Sequence, residues 1–280
     1  MLKNEYCEIE IKQLQQILLE ILLVIDEFCK ENCISYFLDS GTALGAKRHK
    51  GFIPWDDDID LGMMRADYEK FVSLAIEKLP HGYTLHVYDN TPGFPGMFAK
   101  VCKEGTLFET EETRDSGFSQ GVFVDIFPYD CLSSNLAEKK KQLRKAGFWQ
   151  KVSYLYCSPH VLVPVDGIFG LLARLFCHVS HFFLRTFFSR EGIKEKFDDS
   201  KRFKSMPSDE VVVLAYPNGG PYKRSMMVPP RNQSFEGFCM PCPNDIEGYL
   251  EVLYGPTWKD LPPVENRKSH KPLRLVVGDN

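Results

Sequence analysis

Four aspartates crowd into five positions of the run Phe52-Ile53-Pro54-Trp55-Asp56-Asp57-Asp58-Ile59-Asp60-Leu61. Carboxylates this close repel one another, and a fold keeps them where positive charge stands between them; a divalent metal suits that role. If Ile59 and Leu61 enter a core, as alternation along a short strand requires, Asp58 and Asp60 share the opposite face. Alternate side chains on a strand face lie ~7 Å apart, a spacing from which flexible carboxylates converge on one or two hard cations. Magnesium held this way keeps positions open for substrate phosphates, which suits phosphoryl transfer better than metal storage. A calcium loop starting at Asp56 fails at its sixth position, where Leu61 stands in place of the required Gly, and at its twelfth, where Asp67 replaces Glu. A solvated acidic turn is disfavoured because Trp55, Ile59 and Leu61 interleave the acids.

Other residues are suited to complete such a site. Asp39-Ser40-Gly41-Thr42 turns a short strand into a helix expected from Ala43 to Arg48, and Gly41 with Thr42 at its N-terminus would offer backbone N–H groups to a phosphate. Asp125 is the single acid in the apolar run Gly121-Val122-Phe123-Val124-Asp125-Ile126-Phe127. Burial of an unpaired carboxylate is costly, so Asp125 needs a partner, and a metal held by the other acids would serve. Lys100 lies on the strand face opposite Ala99 and Val101.

The elements that must position these groups are legible in outline. Leu14, Ile17, Leu18, Ile21, Ile25 and Phe28 give 9–29 the pattern of an amphipathic helix. Strands are expected at 35–38, 83–87, 97–102, 121–127 and 211–215, and helices at 67–79, 133–156 and 244–254. The basic residues of 133–156 read as a solvated face. The stretch 161–188 is the most hydrophobic, but Asp166, Arg174 and Arg185 cut it into runs too short to span a bilayer. A core helical hairpin is the favoured placement, with a segment lying on a membrane as the alternative. Residues 190–209 read as charged and exposed, and 262–270 as an extended tail.

The chain has 280 residues, 44% hydrophobic and 13% aromatic, enough for a large core. A net charge of −4 argues against nucleic acid as a partner. Nine scattered cysteines fit a reducing cytoplasm, and the acidic first helix does not resemble a signal peptide. Cys239-Met240-Pro241-Cys242 lacks an obvious second ligand pair, so buried thiols are expected rather than zinc.

These pieces in this order resemble the LicD family of phosphocholine transferases, to which fukutin and the fukutin-related protein are distantly similar. The resemblance rests on Asp39–Gly45, Arg48–Asp60, Phe123–Pro128, Phe235–Gly237, and Tyr249 through Trp258 to Pro263, and spans roughly 30–270. It implies an α+β, nucleotidyltransferase-like fold: a small mixed sheet flanked by helices, with a helical insertion. The implied division is an N-terminal helix at 1–33, a catalytic core at 34–132, the insertion at 133–210 and a completing segment at 211–280.

By the same resemblance, Asp58, Asp60 and Asp125 are the catalytic, metal-holding acids, binding magnesium or manganese. Asp125 would complete a second metal site or act as base. Gly41, Thr42, Arg48 and Lys100 would bind the donor's diphosphate, while Asp56 and Asp57 stand behind the ligands. The implied reaction moves a phospho-alcohol group, such as phosphocholine, from a CDP-linked donor to a hydroxyl of a cell-surface glycan or glycolipid. Attachment of a nucleoside monophosphate is the alternative chemistry, and an inactive scaffold of glycan assembly the alternative class. The implied location is cytoplasmic, at the inner membrane face if 161–188 touches lipid. Trp55 is expected to pack the acidic loop, and Glu236 and His270 have no assigned role.

Overall fold

In the computed structural model, which describes residues 8–114, 116–160, 167–216, 219–267, 269–270 and 272–277, the first amphipathic stripe forms α1 (Glu8–Glu31). Leu14, Leu18, Ile21, Leu22, Ile25 and Phe28 of this helix are buried. Each such side chain contributes about 1.5–3 kcal/mol of transfer free energy.

The chain then runs through β1 (Phe37–Leu38), α2 (Ser40–His49), β2 (Asp60–Met64), α3 (Arg65–Lys78), β3 (Tyr83–His86), β4 (Ala99–Lys103), β5 (Leu107–Glu109), α4 (Glu111–Arg114) and β6 (Phe123–Ser133). Three helices follow: α5 (Leu136–Cys157), α6 (Gly167–Phe187) and α7 (Arg190–Ser200). The remainder is β7 (Pro207–Val212), β8 (Tyr222–Lys223), α8 (Arg224–Met227), β9 (Arg231–Phe235), β10 (Phe238–Cys242), α9 (Ile246–Tyr254) and β11 (Arg274–Val276). The class is α+β: a mixed sheet in the order β1-β2-β6-β4-β3, with helices packed against it. β2 and β6 run parallel, while the other pairs in that path are antiparallel. β6 continues past this sheet to pair with β7, so the strand carrying Asp125 also ties the helices of α5–α7 to the core.

Three expectations are corrected. Residues 161–166 lie outside the described residues, but α6 does not enter the core: Phe169, Leu172, Leu175, Phe176, Val179, Phe182, Phe183 and Phe187 are exposed. High hydrophobicity alone did not say whether the stretch meets the protein core or another apolar surface. Within 190–209, α7 packs on α5 with Ile193 and Phe197 buried, because two apolar residues four apart suffice to seat a short charged helix. The 262–270 segment is not a free tail, since His270 folds back on Asp57. The apolar spacing of these segments carried too little signal for either docking.

Asp39 joins the two ends of the chain. It is buried, caps α2, and accepts hydrogen bonds from Tyr129 Oη at 2.9 Å and from the Tyr249 hydroxyl on α9. Burial pushes its carboxyl above the usual range, while the two tyrosines and Ser40 N–H act in the opposite direction. Tyr249→Phe is expected to lower the unfolding free energy by about 2 kcal/mol in urea melts, the scale of a buried hydrogen bond to an acid. A change below about 0.5 kcal/mol would mean that this cluster does not secure α9.

Candidate active site

Strand register brings the candidate residues into line. Asp60 on β2 is paired with Asp125 on β6, Asp125 with Lys100 on β4, and Lys100 with His86 on β3. Neighbouring strands lie about 4.8 Å apart, so this is one row of ionisable groups crossing four strands. Ile59 and Leu61 are fully buried, which turns Asp58 and Asp60 to the other face as alternation predicts. The Asp125 N–H donates to Ile59 O at 2.9 Å and fixes the two acid-bearing segments against each other.

The first turn of α2 is stitched to the same place. Thr42 Oγ1 accepts from Asp60 N–H at 2.9 Å, and Asp39 N–H donates to Asp60 O at 2.9 Å. Ser40 has φ of 44°, in the left-handed region, and its N–H is held by Asp39 Oδ1 at 2.8 Å and Tyr249 Oη at 3.0 Å. Such a backbone costs on the order of 1 kcal/mol and persists where surroundings enforce it. A Cβ at Gly41 would stand 3.0 Å from Asp56 Oδ2, so a larger residue here would have the Asp56 carboxylate shift by a few tenths of an ångström. The helix starts at Ser40, ahead of the expected Ala43, because Asp39 supplies the cap.

Electrostatically the site has an excess of acid. Burial is the main cause that holds the Asp56 and Asp60 carboxyls well above their usual range, followed for both by Asp58. Burial also raises Asp58 and Asp125, against the opposing pull of His270 on the first and Lys100 on the second. Lys100 is itself buried, with Nζ 2.7 Å from Asp125 Oδ1 and 3.0 Å from the centroid of the Phe123 ring. That approach is a close ion pair, which lowers the Asp125 carboxyl against the effect of its burial. Asp130, five residues along the same strand, gives the contrast: Arg65 meets it with two hydrogen bonds of 2.7 Å. Arg65 thus meets both oxygens of Asp130, whereas Lys100 meets Asp125 at Oδ1.

Two features were not assigned from sequence. His270 donates its N–H to Asp57 Oδ1 at 3.0 Å, with Nδ1 also 3.0 Å from that oxygen and 3.7 Å from Asp58 Oδ2. The hydrogen bond to Asp57 raises the imidazole to about 9, a direction that favours the protonated ring beside the acid loop. Nearby, the Arg267 guanidinium lies 4.3 Å from the Trp55 ring centroid, so the C-terminal segment covers Trp55 as well. The second feature is Glu236, whose Oε1 accepts from Phe52 N–H at 2.9 Å. Glu236 and Gly237, with φ of 48° and 82°, form the two-residue turn between β9 and β10, and the Glu-Gly pair was the sequence signal for it.

Of the remaining expected residues, Arg48 is held by the segment that follows α9, and the charge of Asp56 acts on it. Its guanidinium donates to Trp258 O at 3.2 Å and Asp260 O at 3.1 Å. Asp57 is buried and serves His270, whereas Asp56 reaches Gly41 and Asp58.

The donor chemistry suits a hard divalent cation: carboxylate oxygens on one face, their carboxyls raised by burial and then by one another. Among the described residues, Asp57, Asp58 and His270 bring one ligand-type atom each within 4.8 Å of one another. Asp58, which shares the strand face of Asp60, is common to this group and to the set Asp58, Asp60 and Asp125 expected from the sequence.

Comparison with known proteins adds a family. Residues 33–169 match the family model described as LicD/FKTN/FKRP, nucleotidyltransferase domain. The chain is 28% identical over 279 residues to the lipopolysaccharide cholinephosphotransferase LicD of Haemophilus influenzae, covering 94% of this chain and 96% of that protein. It is 30% identical over 96 residues to the ribitol 5-phosphate transferase FKRP of Homo sapiens, covering 34% of this chain and 17% of that protein. An uncharacterized protein of Rickettsia typhi is 42% identical over 59 residues, 21% of this chain and 19% of its own length.

Proposed function

We propose, from the match of residues 33–169 to the LicD/FKTN/FKRP nucleotidyltransferase-domain family, that the protein transfers a phospho-alcohol group from a CDP-linked donor to a hydroxyl of a cell-surface glycan or glycolipid. The observation that carries the reading is the register pairing of Asp60 with Asp125 beside the N-terminus of α2. Two acids there face a helix terminus whose first-turn N–H groups suit a phosphate.

In the proposed reaction the acceptor oxygen attacks the phosphorus that bears the alcohol. A new P–O bond forms, the bond to the bridging oxygen breaks, and CMP leaves with the electron pair. The acceptor proton passes to a carboxylate oxygen of Asp125, which lies beside Asp60 and is kept ionisable by Lys100. Gly41 and Thr42 orient the diphosphate through backbone N–H groups. Asp58 and Asp60 would hold magnesium or manganese, which when bound supplies charge neutralisation at the phosphoryl oxygens. Lys100 balances Asp125 in this reading rather than reaching the donor, and Arg48 secures the loop around Trp258. The proposed division takes 34–132 as the catalytic core and 133–210 as an insertion, with 211–280 contributing Tyr249, Glu236 and His270 around it.

The test is CMP release by the purified protein with magnesium and a panel of CDP-choline, CDP-ethanolamine, CDP-glycerol and CDP-ribitol, with and without cell-envelope glycan. Acceptor-dependent CMP from one donor is expected. Labelled nucleoside appearing in the glycan product instead would assign nucleotide attachment and overturn the proposal.

A further inference from the structure

We propose that α6 with the basic face of α5 is a docking surface for an anionic lipid bilayer. The packing of α6 is inverted relative to a core helix. Ala173, Cys177, Ser180, His181 and Leu184 are its half-buried residues, and the His181 ring lies 2.8 Å from Leu155 O on α5. The large side chains face outward instead, with Phe169 73% exposed, Phe176 69% and Phe182 73%. Taken at 100° per residue, Phe169, Leu172, Leu175, Phe176, Val179, Phe182, Phe183 and Phe187 occupy one continuous sector of the helix, with Thr186 as its polar interruption. Arg174 and Arg185 lie on its flank, and Arg185 stacks 5.1 Å from the Tyr156 ring of α5. Among the described residues these side chains stay exposed, and an apolar face this large is unusual on a monomer surface.

Charge identifies the occupant. Residues 136–187 contain eight Lys and Arg against two acids, Glu138 and Asp166, in a chain whose net charge is −4. The rest of the molecule is therefore strongly acidic and this hairpin strongly basic. Lys140, Lys141, Arg144, Lys145 and Lys151 are exposed on α5. Apolar Phe and Leu on one face with Arg and Lys beside it is the arrangement that seats a helix at the headgroup level of an anionic membrane. A second copy of the same hairpin is a poorer occupant, because two faces of the same strong charge would be brought together. The helix lies on the membrane rather than through it, since among the described residues no helix is long and apolar enough to cross one.

This inference is independent of the proposed chemistry, and its test is separate. The full-length protein is floated with vesicles of phosphatidylcholine alone and of equimolar phosphatidylcholine and phosphatidylglycerol, at low and high salt. Binding to the anionic vesicles is expected, weakened by salt, and reduced at least about tenfold in the double variant Phe176→Glu/Phe183→Glu. Both side chains are exposed, so circular dichroism of the variant should match the parent. Lys140→Glu/Lys141→Glu/Arg144→Glu should lose the preference for anionic lipid. Absence of flotation at low salt would overturn the inference, as would binding that the Phe substitutions leave unchanged. So would a dimer that the double Phe variant splits and that ignores vesicles, which would assign the face to self-association.

Discussion

Asp60→Asn is expected to lower CMP release about 10³-fold or more while raising the thermal midpoint of the chelator-treated protein. The loss follows from position: Asp60 is the acid aligned with Asp125 and bonded through its backbone to Thr42 and Asp39, so no neighbour can replace it. The gain follows from crowding. Burial, Asp58 and Asp125 all disfavour the charged Asp60, and asparagine keeps the shape without the charge. For a chain of this size, each kcal/mol recovered is worth about 2–4 °C. Added magnesium should raise the midpoint of the parent and leave that of the variant unchanged, which reads binding without reference to turnover. A variant that turns over at the parental rate would sink the assignment of Asp60. One that unfolds earlier than the parent without metal would show that its role is structural.

Lys100→Met is expected to destabilise the fold by about 3 kcal/mol and to reduce turnover with it. Lys100 is buried beside Asp125, and methionine retains its bulk over the Phe123 ring while removing the charge. An uncompensated carboxylate would then remain next to Asp60 and Asp58. The double variant Lys100→Met/Asp125→Asn removes both charges, so most of the lost stability should return in urea melts while turnover stays at least about 10²-fold down. A cost below about 0.5 kcal/mol for the single variant would mean that the pair behaves like a surface ion pair. Recovery of activity in the double variant would exclude Asp125 as the proton acceptor.

The division between what the residues announced and what the fold added can be followed at particular places. The alternation of Ile59 and Leu61 with Asp58 and Asp60 placed the acids on a common face, because the strand period of two is a local property. The stripe from Leu14 to Phe28 specified α1 for the same kind of reason, and both of its ends were located to within a few residues. Asp125 stood out because a lone carboxylate in an apolar run demands a partner. Its nearest charge partner turned out to be Lys100, since the pairing of β4 with β6 sets one directly against the other.

Strand order and register, by contrast, are relations between segments far apart in the chain. Nothing local to β2, β3, β4 or β6 says that Asp60, Asp125, Lys100 and His86 form a row. The same holds for His270, which reaches Asp57 across 213 positions of sequence from a segment with almost no regular structure. The hydrophobicity of 161–188 was legible, but only the structure shows that α6 turns His181 toward α5 and leaves Phe169, Phe176 and Phe182 exposed. Sequence alone thus determined the chemistry available and the faces carrying it, because side-chain character and local period reside in the chain. Only the tertiary structure decided which faces meet, because that choice depends on packing and pairing between distant segments.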